Sequence, residues 1–284
     1  MRRRKPMLHP IAMGIQTDIQ LRDHADETRR PLSIVTALPA DRSMTPVGFN
    51  TVLAVCPGPS GDSSVLAIAE ALARLAGAEL IEMSTASAIR RRADQERAGV
   101  VALGMQGTAG FAGVAETVRH LLDAGKAVLV VPRLQGRGVR LERIGIGYDG
   151  SRSAEAALQV ARQLTSAGRG HGARLEIAYV DDSATDSGEP DSDTIAARRG
   201  VMIGWWLGGV AGEVPGAVRP AHLIGGPASR LAQLSGNLDL LVIGRRGRPF
   251  LRRVLTRSVS TSLIATTRCP LLIVPPNLLS SRAR

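Results

Sequence analysis

Leu240-Leu241-Val242-Ile243-Gly244-Arg245-Arg246-Gly247 opens the stretch that decides the fold, and Pro270-Leu271-Leu272-Ile273-Val274 closes it. The first four residues form a short apolar run, which reads as a buried strand. Glycines follow it, then an Arg-rich loop, then Ser258-Val259-Ser260 at the start of a helix. Small residues let the backbone approach a ligand closely, and the free N–H groups of a helix start point at an anion. A strand ending in glycines before a helix N-terminus is therefore a standard phosphate cradle. A lone Gly-x-x-Gly, by contrast, is most often only a turn.

The spacing adds to the glycines. Gly244 and Gly247 are two residues apart, nine more residues lead to Arg257, and Ser258 follows. This pattern resembles the universal stress protein family, whose nucleotide-binding members carry Gly, two residues, Gly, nine residues, Gly, then Ser or Thr. The first two glycines and the Ser match; Arg257 stands where the third glycine would be. Cys269-Pro270 before the last strand is also similar to the family. The resemblance implies an α/β fold, Rossmann-like and adenine nucleotide alpha-hydrolase-like, built on doubly wound parallel sheets.

Working outward, the chain reads as two unequal copies of one unit. Val130-Val131-Pro132 matches Ile273-Val274-Pro275, and 86–104 aligns without gaps with 226–244. In the first copy, strands are expected at 51–56, 79–83, 100–103 and 127–131, with helices from Asp62 or Ser63 to Ala76, a short one ending by Arg97, and one from Val114 to Ala124. In the second, strands are expected at 143–148, 174–180, 217–224, 240–243 and 270–274. Helices are expected at 153–164, from about 193 to 210, and from Pro227 to near Ser235. The first copy has nothing equivalent to 183–225, so it lacks one helix and one strand. In the family's sheet that strand lies at an edge, so its loss breaks no central pairing. The expected layout is a disordered tail at 1–47, a degenerate domain at 48–133, a linker at 134–140, a full domain at 141–276 and a tail at 277–284: two doubly wound sheets in tandem, the first truncated.

Composition sets outer limits. The 284 residues are 44% hydrophobic but only 2% aromatic. Cores must then be Val, Leu, Ile and Ala, which suits parallel sheets under helices. Net charge is +11, which attracts anions but says nothing about fold. Few aromatics argue against a single-strand stacking platform, so nucleic acid is not the expected partner. Cys56 and Cys269 make no disulfide framework, and a reduced, cytoplasmic setting is expected. The greasiest run, Val201 to Val210, falls short of the roughly 18–20 residues that span a bilayer, and Arg2-Arg3-Arg4-Lys5 is followed by no continuous apolar region. Neither a membrane anchor nor a signal peptide is expected.

In open parallel sheets ligands bind past the carboxyl ends of the strands, where strand order reverses. The resemblance assigns roles there. Asp149 would lie by the nucleoside, and Val180 would line the base pocket. Ile243, Gly244, Arg246 and Gly247 would run along sugar and phosphates, and Ser258 with Val259 would donate to phosphate. Asp149 is equally a residue type for a helix-entry turn. Arg257 either blocks the phosphate with its side chain or grips it bidentately. Arg245, Arg246, Arg248, Arg252 and Arg253 raise the local positive potential or simply form a solvated loop. In the first copy Pro57 replaces Asp149 and Ala115 replaces Ser258; it is expected to bind no nucleotide and to serve as a partner surface. The family dimerises through its last strands, so 127–131 and 270–274 are expected to pair as an intramolecular pseudo-dimer, or else to support a homodimer.

Other chemistry has little support. The five histidines lack metal-ligand spacing. No Gly-x-Ser-x-Gly elbow and no P-loop is present. Trp205 and Trp206 read as one core residue and one possible anchor for a protein partner. The resemblance therefore implies a regulatory protein of the stress response that binds ATP or another adenine nucleotide. It is not expected to be an enzyme, and any ATP hydrolysis would be slow and incidental. The rival reading is a nucleotide-independent scaffold acting through the tandem pseudo-dimer.

Overall fold

Runs such as Thr51-Val52-Leu53-Ala54-Val55 and Ala127-Val128-Leu129-Val130-Val131 have no polar side at all, and each becomes a strand buried on both faces. The computed structural model describes residues 49–56, 63–83, 89–105, 110–133, 139–167, 173–182, 192–214, 216–245 and 259–278. The expectations for 1–47, for Pro57, Arg246, Gly247, Arg248, Arg252, Arg253, Arg257 and Ser258, and for most of the 134–140 linker lie outside them.

In chain order the elements of the first half are β1 (Thr51–Val55), α1 (Ser63–Ala76), β2 (Glu79–Met83), α2 (Ile89–Gln95), β3 (Val100–Gly104), α3 (Gly110–Asp123) and β4 (Ala127–Val131). The second half has β5 (Arg143–Gly147), α4 (Arg152–Ala167), β6 (Arg174–Asp181), α5 (Ser192–Gly212), β7 (Val218–Ile224), α6 (Pro227–Leu234), β8 (Leu240–Gly244), α7 (Val259–Thr266) and β9 (Leu271–Val274). α3 starts a turn earlier than the sequence suggests. Gly110 and Gly113 are both within it.

The nine strands form one sheet in the order β2-β1-β3-β4-β9-β8-β5-β6-β7. Every pairing is parallel except one. β4 and β9 run antiparallel, with Val128 opposite Ile273, Leu129 opposite Leu272 and Val130 opposite Leu271. The two copies thus meet through strands 127–131 and 270–274 and fuse into one mixed sheet. The missing strand of the first copy corresponds to β7, which lies at the far edge with β6 as its neighbour. Edge strands β2 and β7 carry several polar residues, among them Glu79, Glu82, Arg219 and His222.

Helices cover both faces, as crossovers of one hand require. Residues of α1, α4 and α5 pack with Val52, Ala54, Leu129, Ile144, Ile146, Val242 and Leu272 on one face. Residues of α2, α3, α6 and α7 pack with Leu53, Val101, Val128, Leu241, Ile243 and Ile273 on the other. Leu278, just past β9, is buried in the first of these layers.

Candidate functional site

The second half has internal order β7-β6-β5-β8-β9. Its order reverses at β5, with the strand that follows on one side and β8 on the other. At that switch point Gly147 pairs with Ala178 of β6 and with Ile243 of β8. The strand ends that follow supply Asp149, Val180 and Gly244. Ile243 is buried, and Val180 and Val259 are half-buried against the same apolar layer. Three of the sequence-derived positions therefore share the α6–α7 side of the sheet.

Gly244 does something else. A Cβ built there would run into the backbone of Ser153 and Ala154 at the start of α4. This glycine lets the α4 N-terminus lie against the end of β8, on the side opposite Ile243. Gly147 likewise admits Leu231 of α6, whose Cδ1 would be 3.0 Å from an added Cβ. Close helix–sheet packing explains both glycines without a ligand.

Asp149 is exposed, and its Oδ1 accepts the N–H of Ser151 at 3.0 Å. Ser151 Oγ in turn accepts the N–H of Ala154 at 3.2 Å, which caps α4. The helix-entry role weighed for Asp149 is thus present. Between them Gly150 has φ +73°, a left-handed turn that favours glycine, and Trp206 closes over it at 3.3 Å from where a Cβ would be.

Residues that the sequence did not point to surround this turn. Trp206 of α5 stacks on Tyr148, with ring centroids 5.3 Å apart, and meets Tyr179 edge-on at 5.6 Å. The Tyr148 hydroxyl donates to Glu155 Oε2 at 2.9 Å. Burial, then the nearby Glu155 carboxylate, pushes the Tyr148 phenol well above its usual range. Burial, followed by Asp181, raises Tyr179 as well. One strand over, the buried Asp181 carboxylate lies 3.8 Å from Arg199 and 3.9 Å from His222 Nε2. That nitrogen is buried without a hydrogen bond among the described residues. No spacing in the sequence links these residues; β6, α5 and β7 follow one another along the chain, and folding brings their side chains together.

Arg245, one of the arginines expected to raise the potential, is engaged. Its guanidinium reaches Asp123 Oδ1 of α3 at 2.6 Å. The pair bridges the two halves, and the Arg245 hydrogen bond holds the Asp123 carboxyl below its usual value. Ala115 lies well inside α3, not at its start. Among the described residues no group of three potential ligands could hold a metal ion, and no helix is long and apolar enough to cross a membrane.

Residues 215–275, which span β7 to β9, match the model of the universal stress protein family. This segment is a universal stress protein family segment. A protein of Pseudomonas aeruginosa UCBPP-PA14 assigned to the universal stress proteins is 13% identical over 84% of this chain and 98% of its own, with a TM-score of 0.55. A functionally unknown protein from Pseudomonas aeruginosa PAO1 is 14% identical over 82% of this chain and 95% of its own, at 0.51. At such identities these two establish the shared fold. A universal stress protein family structure from Burkholderia pseudomallei is 25% identical over 49% of this chain and 99% of its own, at 0.35. A comparison with curated proteins returns no match.

Proposed function

We propose that the second half binds ATP or another adenine nucleotide at the carboxyl ends of β5, β6 and β8, and that binding regulates rather than turns over. The observation that carries this reading is the meeting of Gly147, Ala178 and Ile243 at the switch point, from which Asp149, Val180 and the 246–258 loop follow. Ligands of open parallel sheets bind at such a place. The family segment 215–275 includes the loop itself. In this reading Asp149 lies by the nucleoside and Val180 and Ile243 flank the base. Gly244, Arg246 and Gly247 follow the sugar and phosphates, and Ser258 with Val259 offers donors at the start of α7. The positive end of a helix favours phosphate there.

We read the role as regulatory because the assignment places Asp149 by the nucleoside and Ser258 as a donor to phosphate, neither poised for phosphoryl transfer. Trp206 gives the site an outlet. It covers Gly150 and stacks on Tyr148, so a ligand that shifts the 148–151 turn would be felt by α5. A reduced, cytoplasmic setting accords with two cysteines that are both buried, Cys56 and Cys269.

Calorimetric titration of the full chain with ATP tests the reading. Heat with micromolar affinity, about −8 kcal/mol, is expected. Asp149→Ala and Gly247→Val should each weaken it by about ten-fold or more, which is ~1.4 kcal/mol. In a Trp205→Phe background, Trp206 fluorescence should change along the same isotherm. No heat at millimolar ATP would replace this reading with the nucleotide-independent scaffold.

A further inference from the structure

α5 and β7 are the pieces of the second half with no counterpart in the first, and α5 carries a second apolar face. At 100° per residue its inward side is Ile203, Leu207 and Val210, all buried. The opposite side presents Val201, Met202 and Trp205, which are 61%, 66% and 82% exposed. Single exposed apolar residues are ordinary, but three in one patch on one helix mark an interaction surface. Farther along the same side come Gly208, Gly209 and Gly212, where an added Cβ would meet nothing within 4 Å. The face therefore has a bulky N-terminal half and a flat C-terminal half. Exposed Arg198 stands at the bulky end and exposed Glu213 at the flat end.

We propose that this face is a self-association surface on which a second copy of the chain lays its own α5 antiparallel. A two-fold contact uses the same patch on both partners. Antiparallel stacking in this register seats Met202 of each helix on Gly209 of the other and brings the two Trp205 side chains together at the two-fold axis. It also sets Arg198 of each beside Glu213 of the other, so the charges complement at both ends. Parallel stacking would instead oppose Arg198 to Arg198 and Glu213 to Glu213. The strand edge that could otherwise join two copies is already taken, because β4 covers β9 within the chain. At the far edge, Pro220 in β7 cannot donate to an added strand. One helix pair buries less than a standard interface of about 1,600 Å², so association depends on concentration.

Sedimentation of the full chain over a range of concentrations tests this. The mass should rise from one chain to two. Trp205→Glu should hold it at one chain with unchanged circular dichroism. Arg198→Glu should weaken association by about ten-fold, and adding Glu213→Arg should restore most of it, since reversal keeps the cross-pairs opposite. The charge pair keeps the test decisive even if Trp205→Glu disturbs folding. A single chain at every concentration would overturn the proposal, as would a dimer indifferent to Trp205→Glu with native dichroism. So would a double reversal no better than Arg198→Glu alone.

Discussion

Gly244 shows how a residue can match a binding motif and still answer first to packing. Its missing Cβ makes room for the backbone of Ser153 and Ala154. Gly244→Ala must push α4 off β8, and overpacking of this kind costs about 1–3 kcal/mol. That loss should appear in denaturant unfolding with no nucleotide present; an unchanged midpoint would mean the helix yields freely. The tyrosines allow a second test at this scale. The chain has two, and both phenols are raised by burial. A raised folded pKa means the neutral phenol is favoured in the native state. Its stabilisation is complete below the unfolded value of about 10 and is lost as pH climbs through the higher folded values. Phenolate absorbance of the native protein should therefore lag that of the unfolded chain, and Glu155→Gln should narrow the lag at Tyr148. Titration at the free value would contradict the Trp206–Tyr148 stack.

Between elements, one carboxylate joins the entries of two strands. Asp239, just before β8, accepts from the backbone N–H of Glu142 at 3.1 Å and of Arg143 at 2.8 Å. It also takes the Arg143 guanidinium at 2.8 Å and 3.4 Å. The hydrogen bond to Asp239 raises the already high pKa of Arg143, so the guanidinium stays charged at any working pH. Asp239→Ala strands two backbone donors, which costs about 1–3 kcal/mol. Asp239→Asn keeps an acceptor and should cost less, and equal losses would show that charge alone matters. The pair lies at the amino ends of the strands, so neither change should alter nucleotide affinity. Asp123 and Arg245 tie α3 to the opposite rim. Because the folded carboxyl is depressed, that contact is present above its ordinary range and fades as pH falls through the lower folded value. Asp123 is exposed, and solvent keeps its effect small.

For the whole molecule, the β4–β9 junction makes the two halves one sheet. Leu129 and Leu272 face each other there, both fully buried. Leu129→Ala removes side-chain volume from the first half and should cost about 2–5 kcal/mol. Trp206 reports from the second half. If the sheet unfolds as a unit, its fluorescence transition should move by the full amount in the Leu129→Ala protein. A Trp206 transition that stays in place would mean the halves unfold separately.

The chain by itself determined the elements and their repetition, because strand and helix signals are local. Apolar runs such as 127–131 and 271–274 have no polar face to expose. The gap-free match of 86–104 to 226–244 carries the same helix–strand pair twice. Even the truncation of the first copy was legible, since an edge strand can be lost without breaking a ladder. What only the tertiary structure decided is non-local. No periodicity says that Trp206 closes over Gly150, that Asp123 reaches Arg245, or that Gly244 makes room for Ser153. α5 is the clearest case. From Val201 to Gly212 it has no charged or polar side chain on any side, so its pattern alone does not say which tryptophan is covered; at the margin of the sheet there is one layer to cover, and Trp205 is left facing outward.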